Sequence, residues 1–195
     1  MSRYWLIARR HFAHFLVLGA VVEIAALRLL QRAVSVPGRD DGTVWVLAPL
    51  LPALPALALA ASCAVTFSES ERVLPSPVVF RRVAVIGVQV LLVVVSAVIG
   101  GGPDEVGLLI RNGLFFAGTA LCSAGLLPSG LSWSPVVLLA TGSWIIGVPD
   151  QGDPVPRWAL LLLDNSSAVA WATAIVLQVL GSLLVIGYPS WRRKS

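Results

Sequence analysis

Charge is what this sequence has least of. Asp, Glu, Lys and Arg make up 12% of its 195 residues, about half of the roughly 25% that a soluble domain carries. That is too little polar surface to cover a globule in water. Cysteine and histidine are nearly missing, with two of each. Cys63 and Cys122 both lie inside hydrophobic runs and read as small buried apolar residues rather than as a disulfide or a metal pair. His11 and His14 share one helical face beside the membrane, and no further ligand stands within reach for a metal site. The sequence has no H-E-x-x-H, no G-x-S-x-G, no aspartate pair at the spacing a lipid phosphotransferase needs and no Walker A loop. No catalytic residue, no metal and no enzymatic activity are therefore expected. The net charge of +4 does not point to nucleic acid, because the basic residues sit mostly at helix ends, where membrane topology accounts for them.

What is present in abundance is apolar: 57% of the residues are hydrophobic and the mean hydropathy is +0.86. The fold class this predicts is an all-α integral membrane protein. A spanning helix takes about 20 residues, so the length accommodates about six spans in a single domain with short connections. The expected spans are 15–34, 44–67, 83–101, 107–127, 131–148 and 166–187. The segment before the first span, with Arg3, Arg9, Arg10, Tyr4, Trp5 and Phe12, has the basic and aromatic mixture of an N-terminal interfacial helix. A cleaved signal peptide fits less well, since Glu23 and Arg28 interrupt the apolar run and no small-x-small site follows. Pro49, Pro52 and Pro55 should kink or unwind the first half of the second span, which a membrane tolerates when neighbouring groups take up the freed carbonyls. Residues 158–163 are apolar but short, and Asp164–Ser167 interrupts them. This stretch is expected to be an outer re-entrant half-helix before the last span, with Ser166 or Ser167 capping that span.

Lys and Arg decide orientation. Arg3, Arg9 and Arg10, then Arg72, Arg81 and Arg82, then Arg192, Arg193 and Lys194 fall on one side; Arg32, Arg39 and Arg157 fall on the other. The basic side is expected in the cytoplasm, with both termini. Within the spans, Glu23, Gln89, Arg111 and Gln178 are the polar candidates for a translocation path or for interhelical contacts, since a charge in hydrocarbon costs several kcal/mol unless it faces protein or water. Gly113, Ala117, Gly118, Ala120 and Ala124 in the fourth span let a second helix approach closely. The richness in Ala, Val, Leu, Gly, Pro and Arg, with Lys194 the single lysine, points to a GC-rich bacterial genome and hence to a multi-pass protein of the plasma membrane.

The segment 68–82, SESERVLPSPVVFRR, carries the one strong cluster of charge between hydrophobic runs. Ser68 and Glu71 have the spacing of a capping box, and Pro75 and Pro77 would end the short helix it starts. This segment resembles, in shortened form, the stretch after the second span of ABC-2 type exporter permeases, and the order of parts along the chain is similar to theirs. The family's usual Gly-Thr-Leu-Glu is not in it. The resemblance implies a membrane subunit that exports a hydrophobic or amphipathic substrate. It also implies a homo- or heterodimer with a second permease, and a separate ATP-binding subunit that holds the ATP and Mg, so that this chain needs no cofactor. By the same resemblance Glu69, Glu71, Arg72, Leu74, Arg81 and Arg82 would form the contact with the ATPase. The alternative is a membrane assembly or regulatory subunit that transports nothing, or, less favoured, a small intramembrane enzyme.

Overall fold

The computed structural model describes residues 3–30, 47–69, 78–147 and 155–187, and within these the side chains of residues 3–14 and of several positions near 61–69 and 78–81 are left aside. The described residues are helical, without strands. In chain order they form α1 (Arg3–Leu30), a 3₁₀ turn (Ala48–Leu50), α2 (Ala53–Glu69), α3 (Val78–Gly100), α4 (Val106–Leu126), a second 3₁₀ turn (Ser129–Leu131), α5 (Ser134–Ile146) and α6 (Ala168–Gly187). Among the described residues three helices are long and apolar enough to cross a membrane: α3 from Arg82, α4 and α6.

These three differ in where their surface goes. In α4, 67% of the span is buried inside the protein, against 28% in α3 and in α6. α4 is thus the central helix, and the outward faces of α3 and α6 are left to Val88, Leu91, Val98, Val176 and Leu183, all exposed. An apolar exterior around a packed interior is what lipid as a solvent selects.

Small residues set the packing distances. A Cβ on Gly118 of α4 would lie 2.5 Å from the backbone of Leu177 and Gln178, and one on Gly181 of α6 would lie 2.6 Å from the Gly118 carbonyl. The α4 and α6 backbones therefore touch, as small-residue packing in membranes allows. Gly19 of α1 seats Pro55 of α2 in the same way, and Gly113 of α4 receives the Val93 side chain of α3. Thr119, Ser123 and Ser182 return their hydroxyls to the carbonyl four residues earlier, at 2.7–2.9 Å, so they add no unsatisfied polar group to the helix contacts.

Several expectations about the elements are corrected. No break separates an interfacial helix from the first span: Arg3–Leu30 is one helix, and no Gly or Pro near His14 and Phe15 would interrupt it. The second span is regular only from Ala53; before it lie the 3₁₀ turn and Leu51–Pro52, the unwinding that the prolines predict. Ser68 stands inside the last turn of α2, and the short helix expected after it lies outside the described residues. Residues 155–167 form successive turns and no half-helix. They carry Pro156, and their backbone-to-backbone bonds reach carbonyls two or three residues back, as in Ala159 to Pro156 and Leu162 to Ala159, each at 2.9 Å. The segments 31–46, 70–77, 148–154 and 188–195 lie outside the described residues.

Candidate functional site

Among the described residues, three groups of buried polar side chains stand out, each on a helix that the apolar packing has already fixed. The first sits where two irregular segments meet the start of α4. Arg111, buried on the second turn of α4, donates to the carbonyls of Asp164 at 2.8 Å, Leu163 at 2.9 Å and Leu161 at 3.3 Å, while its Nε donates to Asn112 Oδ1 at 3.1 Å. Asn112, also buried, donates to the carbonyls of Pro49 and Leu161, both at 2.8 Å. A guanidinium has five donors in a rigid fork, and here it serves a run of carbonyls that no helix satisfies. The two neighbours on α4 thus hold both breaks, the prolines before α2 and the turns before α6. Ala159 and Leu162 rest against Gly147 at the end of α5. α5 has 13 residues, about 20 Å of helix, so this seated segment continues its apolar column.

Asp164 completes the group from outside. Its side chain is exposed and accepts from Ser166 Oγ and from the Asn165 amide, both at 2.7 Å. The Ser166 hydroxyl first, and then the Asn165 amide, hold its carboxyl below the usual aspartate range. Ser167, rather than Ser166, caps α6, with Oγ accepting from Ala170 N at 3.4 Å.

The second group is Gln89 of α3 and Gln178 of α6. Gln178 Nε2 donates to Gln89 Oε1 at 3.1 Å, and both residues are buried. The return bond is not made: Gln89 Nε2 and Gln178 Oε1 have no partner. Gln89 precedes the end of α3 by 11 residues, about 16 Å, so the pair lies deep in the bundle. A small pocket lined by Gln89, Pro52, Pro55, Val93 and Gly113 adjoins it, with room for about one water molecule.

The third group is Glu23 on α1. Its side chain is 2% exposed. Leu27, one turn on, packs against Gly100 at the end of α3, and the Ser96 hydroxyl of α3 is its hydrogen-bonding neighbour. Glu23 therefore lies about one helical turn, or 6 Å, inside the end of α3, and not near the middle of the bundle. Arg111 and the glutamines, the partners its sequence position suggests, are engaged elsewhere. Beside it Arg28 reaches the Ile99 carbonyl and closes the C-terminus of α3.

Of the segment 68–82, Glu71, Arg72 and Leu74 lie outside the described residues, and only the backbone of Glu69 and Arg81 is described. Arg82 is placed: it is 3% exposed, and its guanidinium donates to the carbonyls of Val185 at 2.6 Å and Ile186 at 3.2 Å, at the end of α6. Cys63 and Cys122 are free thiols, buried and half-buried. Among the described residues no three metal-ligating side chains come together.

Sequence reasoning marked Arg111 and the unwinding at Pro49 but missed Asn112 and Ser96. The prolines gave the one usable signal, since unwound backbone in a membrane demands donors nearby, and Asn112 is the amide next to the only arginine in the fourth span.

The fold and these groups define a class: a helical protein of membrane-spanning character whose interior polar residues mainly satisfy backbone and each other. Nothing narrower comes from likeness to other proteins, because no family model, no curated protein and no solved structure matches the chain.

Proposed function

We propose that the chain is the transmembrane permease subunit of an ABC-type exporter in a bacterial plasma membrane, with six spans and both termini cytoplasmic. In this reading it moves a hydrophobic or amphipathic substrate, pairs with a second permease, and takes its energy from a separate ATP-binding subunit that hydrolyses ATP with Mg. The observation that carries the reading is Arg82. It ends the charged segment 68–82 and grips the last carbonyls of α6, so a push on that segment reaches the last span as well as α2 and α3. α6 in turn lies backbone to backbone on α4.

The test is co-purification with an ATP-hydrolysing partner. The expected result is a complex that is lost when Glu71 and Arg72 are both reversed in charge; a complex indifferent to the reversal counts against the exporter. For topology, Ser76→Cys should be labelled only from the cytoplasmic side.

The closeness of Gly118 to Gly181 favours one rival. With the α4 and α6 backbones in contact no path runs between those two helices, and in the exporter reading the path lies between two permeases. A chain that stays monomeric in lipid, with no ATPase partner, is instead a membrane assembly or regulatory subunit.

A further inference from the structure

Among the residues whose side chains are described, no cation is paired with Glu23. Its Oε2 is buried without a hydrogen-bond partner, and the side chain facing it is a hydroxyl, that of Ser96. Arg28, the nearest basic residue on α1, is turned to the Ile99 carbonyl. From the elements packed around it, α2 presents no charged residue among those whose side chains are described, and Arg82 of α3 is at the opposite end, on Val185. In α4, Arg111 is spent on Leu161, Leu163 and Asp164. In the turn after α3, Glu105 accepts from the Gly102 amide at 3.1 Å and Asp104 is exposed.

The hydrogen count at Ser96 then decides what Glu23 must be. A serine hydroxyl has one hydrogen to give and two lone pairs to offer. Ser96 Oγ lies 3.2 Å from the Val93 carbonyl and donates to it. Ser96 can give that hydrogen to Val93 or to Glu23 but not to both, and a carboxyl that keeps its own proton lets Ser96 hold Val93 while accepting from Glu23. A charged carboxylate would instead pull the serine hydrogen from Val93 and still leave Oε2 bare in an apolar surrounding, which costs several kcal/mol.

We propose that Glu23 is a proton-binding site: a neutral carboxylic acid whose O–H donates to Ser96, which donates to Val93, tying α1 to α3. The ligand is a proton, and the site stands whether or not the chain exports anything. Losing the proton breaks the chain of hydrogen bonds and places a charge between two helices that meet there at Leu27 and Gly100, with Arg28 already held by the Ile99 carbonyl.

The experiment uses the full chain in lipid vesicles near neutral pH. Infrared spectra of the wild type should contain a carboxylic acid C=O band that E23Q lacks, while E23Q, whose amide N–H replaces the acid as donor to Ser96, keeps the wild-type thermal stability. Ser96→Ala leaves the acid without its acceptor and should move the band to higher wavenumber. In parallel, the apolar N,N′-dicyclohexylcarbodiimide should form an adduct at Glu23, read by peptide mass, and a water-soluble carbodiimide should not. The adduct forms when the acid adds across a C=N bond, its proton passing to nitrogen, so only the protonated group reacts. Spectra of wild type and E23Q that agree in the acid region overturn the proposal, as does labelling by the water-soluble reagent. If E23Q fails to fold, the Ser96→Ala shift decides alone, and an unmoved band overturns the link to Ser96.

Discussion

Asn112 donates an amide hydrogen to the carbonyl of Pro49 at 2.8 Å and so closes a gap that proline opened. The prolines before α2 remove backbone donors, and a membrane offers no water to replace them. Asn112→Leu keeps the volume roughly and removes the amide, leaving the Pro49 carbonyl and the Arg111 Nε–H without these partners, while Leu161 keeps only Arg111. An unsatisfied buried group costs about 1–3 kcal/mol, so a loss of about 2–5 kcal/mol is expected, read as a lower unfolding temperature in detergent or lipid. A change below about 0.5 kcal/mol would show that these bonds hold nothing.

Arg111 should not be replaceable by lysine. Its fork reaches three carbonyls and Asn112 together, whereas an ammonium is a point charge with three donors and no planar fork. Arg111→Lys is expected to destabilise by about 2–4 kcal/mol, between the loss of charged hydrogen bonds and the breaking of a buried pair. The 155–167 segment should become the first site of proteolysis in the variant, while α4 and α6 stay protected. Unchanged cleavage would refute the role given to Arg111.

Asp164 gives a pH dependence of known sign. Its carboxyl is held below the ordinary value of 3.8 by Ser166 and the Asn165 amide. A group depressed in the folded state contributes stability that is fully present above its unfolded value and is lost as the pH falls through its folded one. The wild type should therefore lose a small increment below about pH 4 that Asp164→Asn lacks at every pH. Parallel unfolding-temperature profiles for the two proteins would contradict this.

How much of this could be read from the chain differs from element to element. The unwinding at Pro49 and Pro52, the span Val106–Leu126 and the capping of α6 by a serine follow from residues whose local chemistry is decisive. Residues 158–163 misled because apolar content alone does not make a helix; Pro156 and the donors of Arg111 and Asn112 let the backbone stay in turns. α2 runs through Ser68 to Glu69, so the second span ends two residues later than the polar pattern places it. The pairing of Gln89 with Gln178 and of Glu23 with Ser96 depends on which helix faces which, and periodicity carries no information about that.

The Gln89–Gln178 bond should be worth little. Interhelical polar contacts in membrane proteins average about 0.6 kcal/mol in double-mutant cycles. Each single change to leucine strands an amide in the bundle and should cost more than the double change, since removing both partners removes the unpaired groups too. A positive coupling of about 0.5–1.5 kcal/mol is expected. Additive losses would mean that each glutamine finds another partner.

Glycine substitutions should separate contact from conformation. At Gly118 a Cβ would meet Gln178 N and Leu177 C at 2.5 Å, both of them backbone atoms, which cannot swing aside as a side chain does. Gly118→Ala must push α6 off α4, and overpacking of this kind costs about 1–3 kcal/mol or more. It should also loosen the Arg82 grip on Val185, since that bond depends on where α6 ends. Gly142, inside α5, has nothing within 4 Å of the same position. Gly142→Ala therefore gains helix propensity without a clash and should stabilise by about 0.5–1 kcal/mol. Unfolding temperatures that move in opposite directions for the two alanines would place the α4–α6 backbone contact at the centre of the fold; a harmless Gly118→Ala would remove it from there.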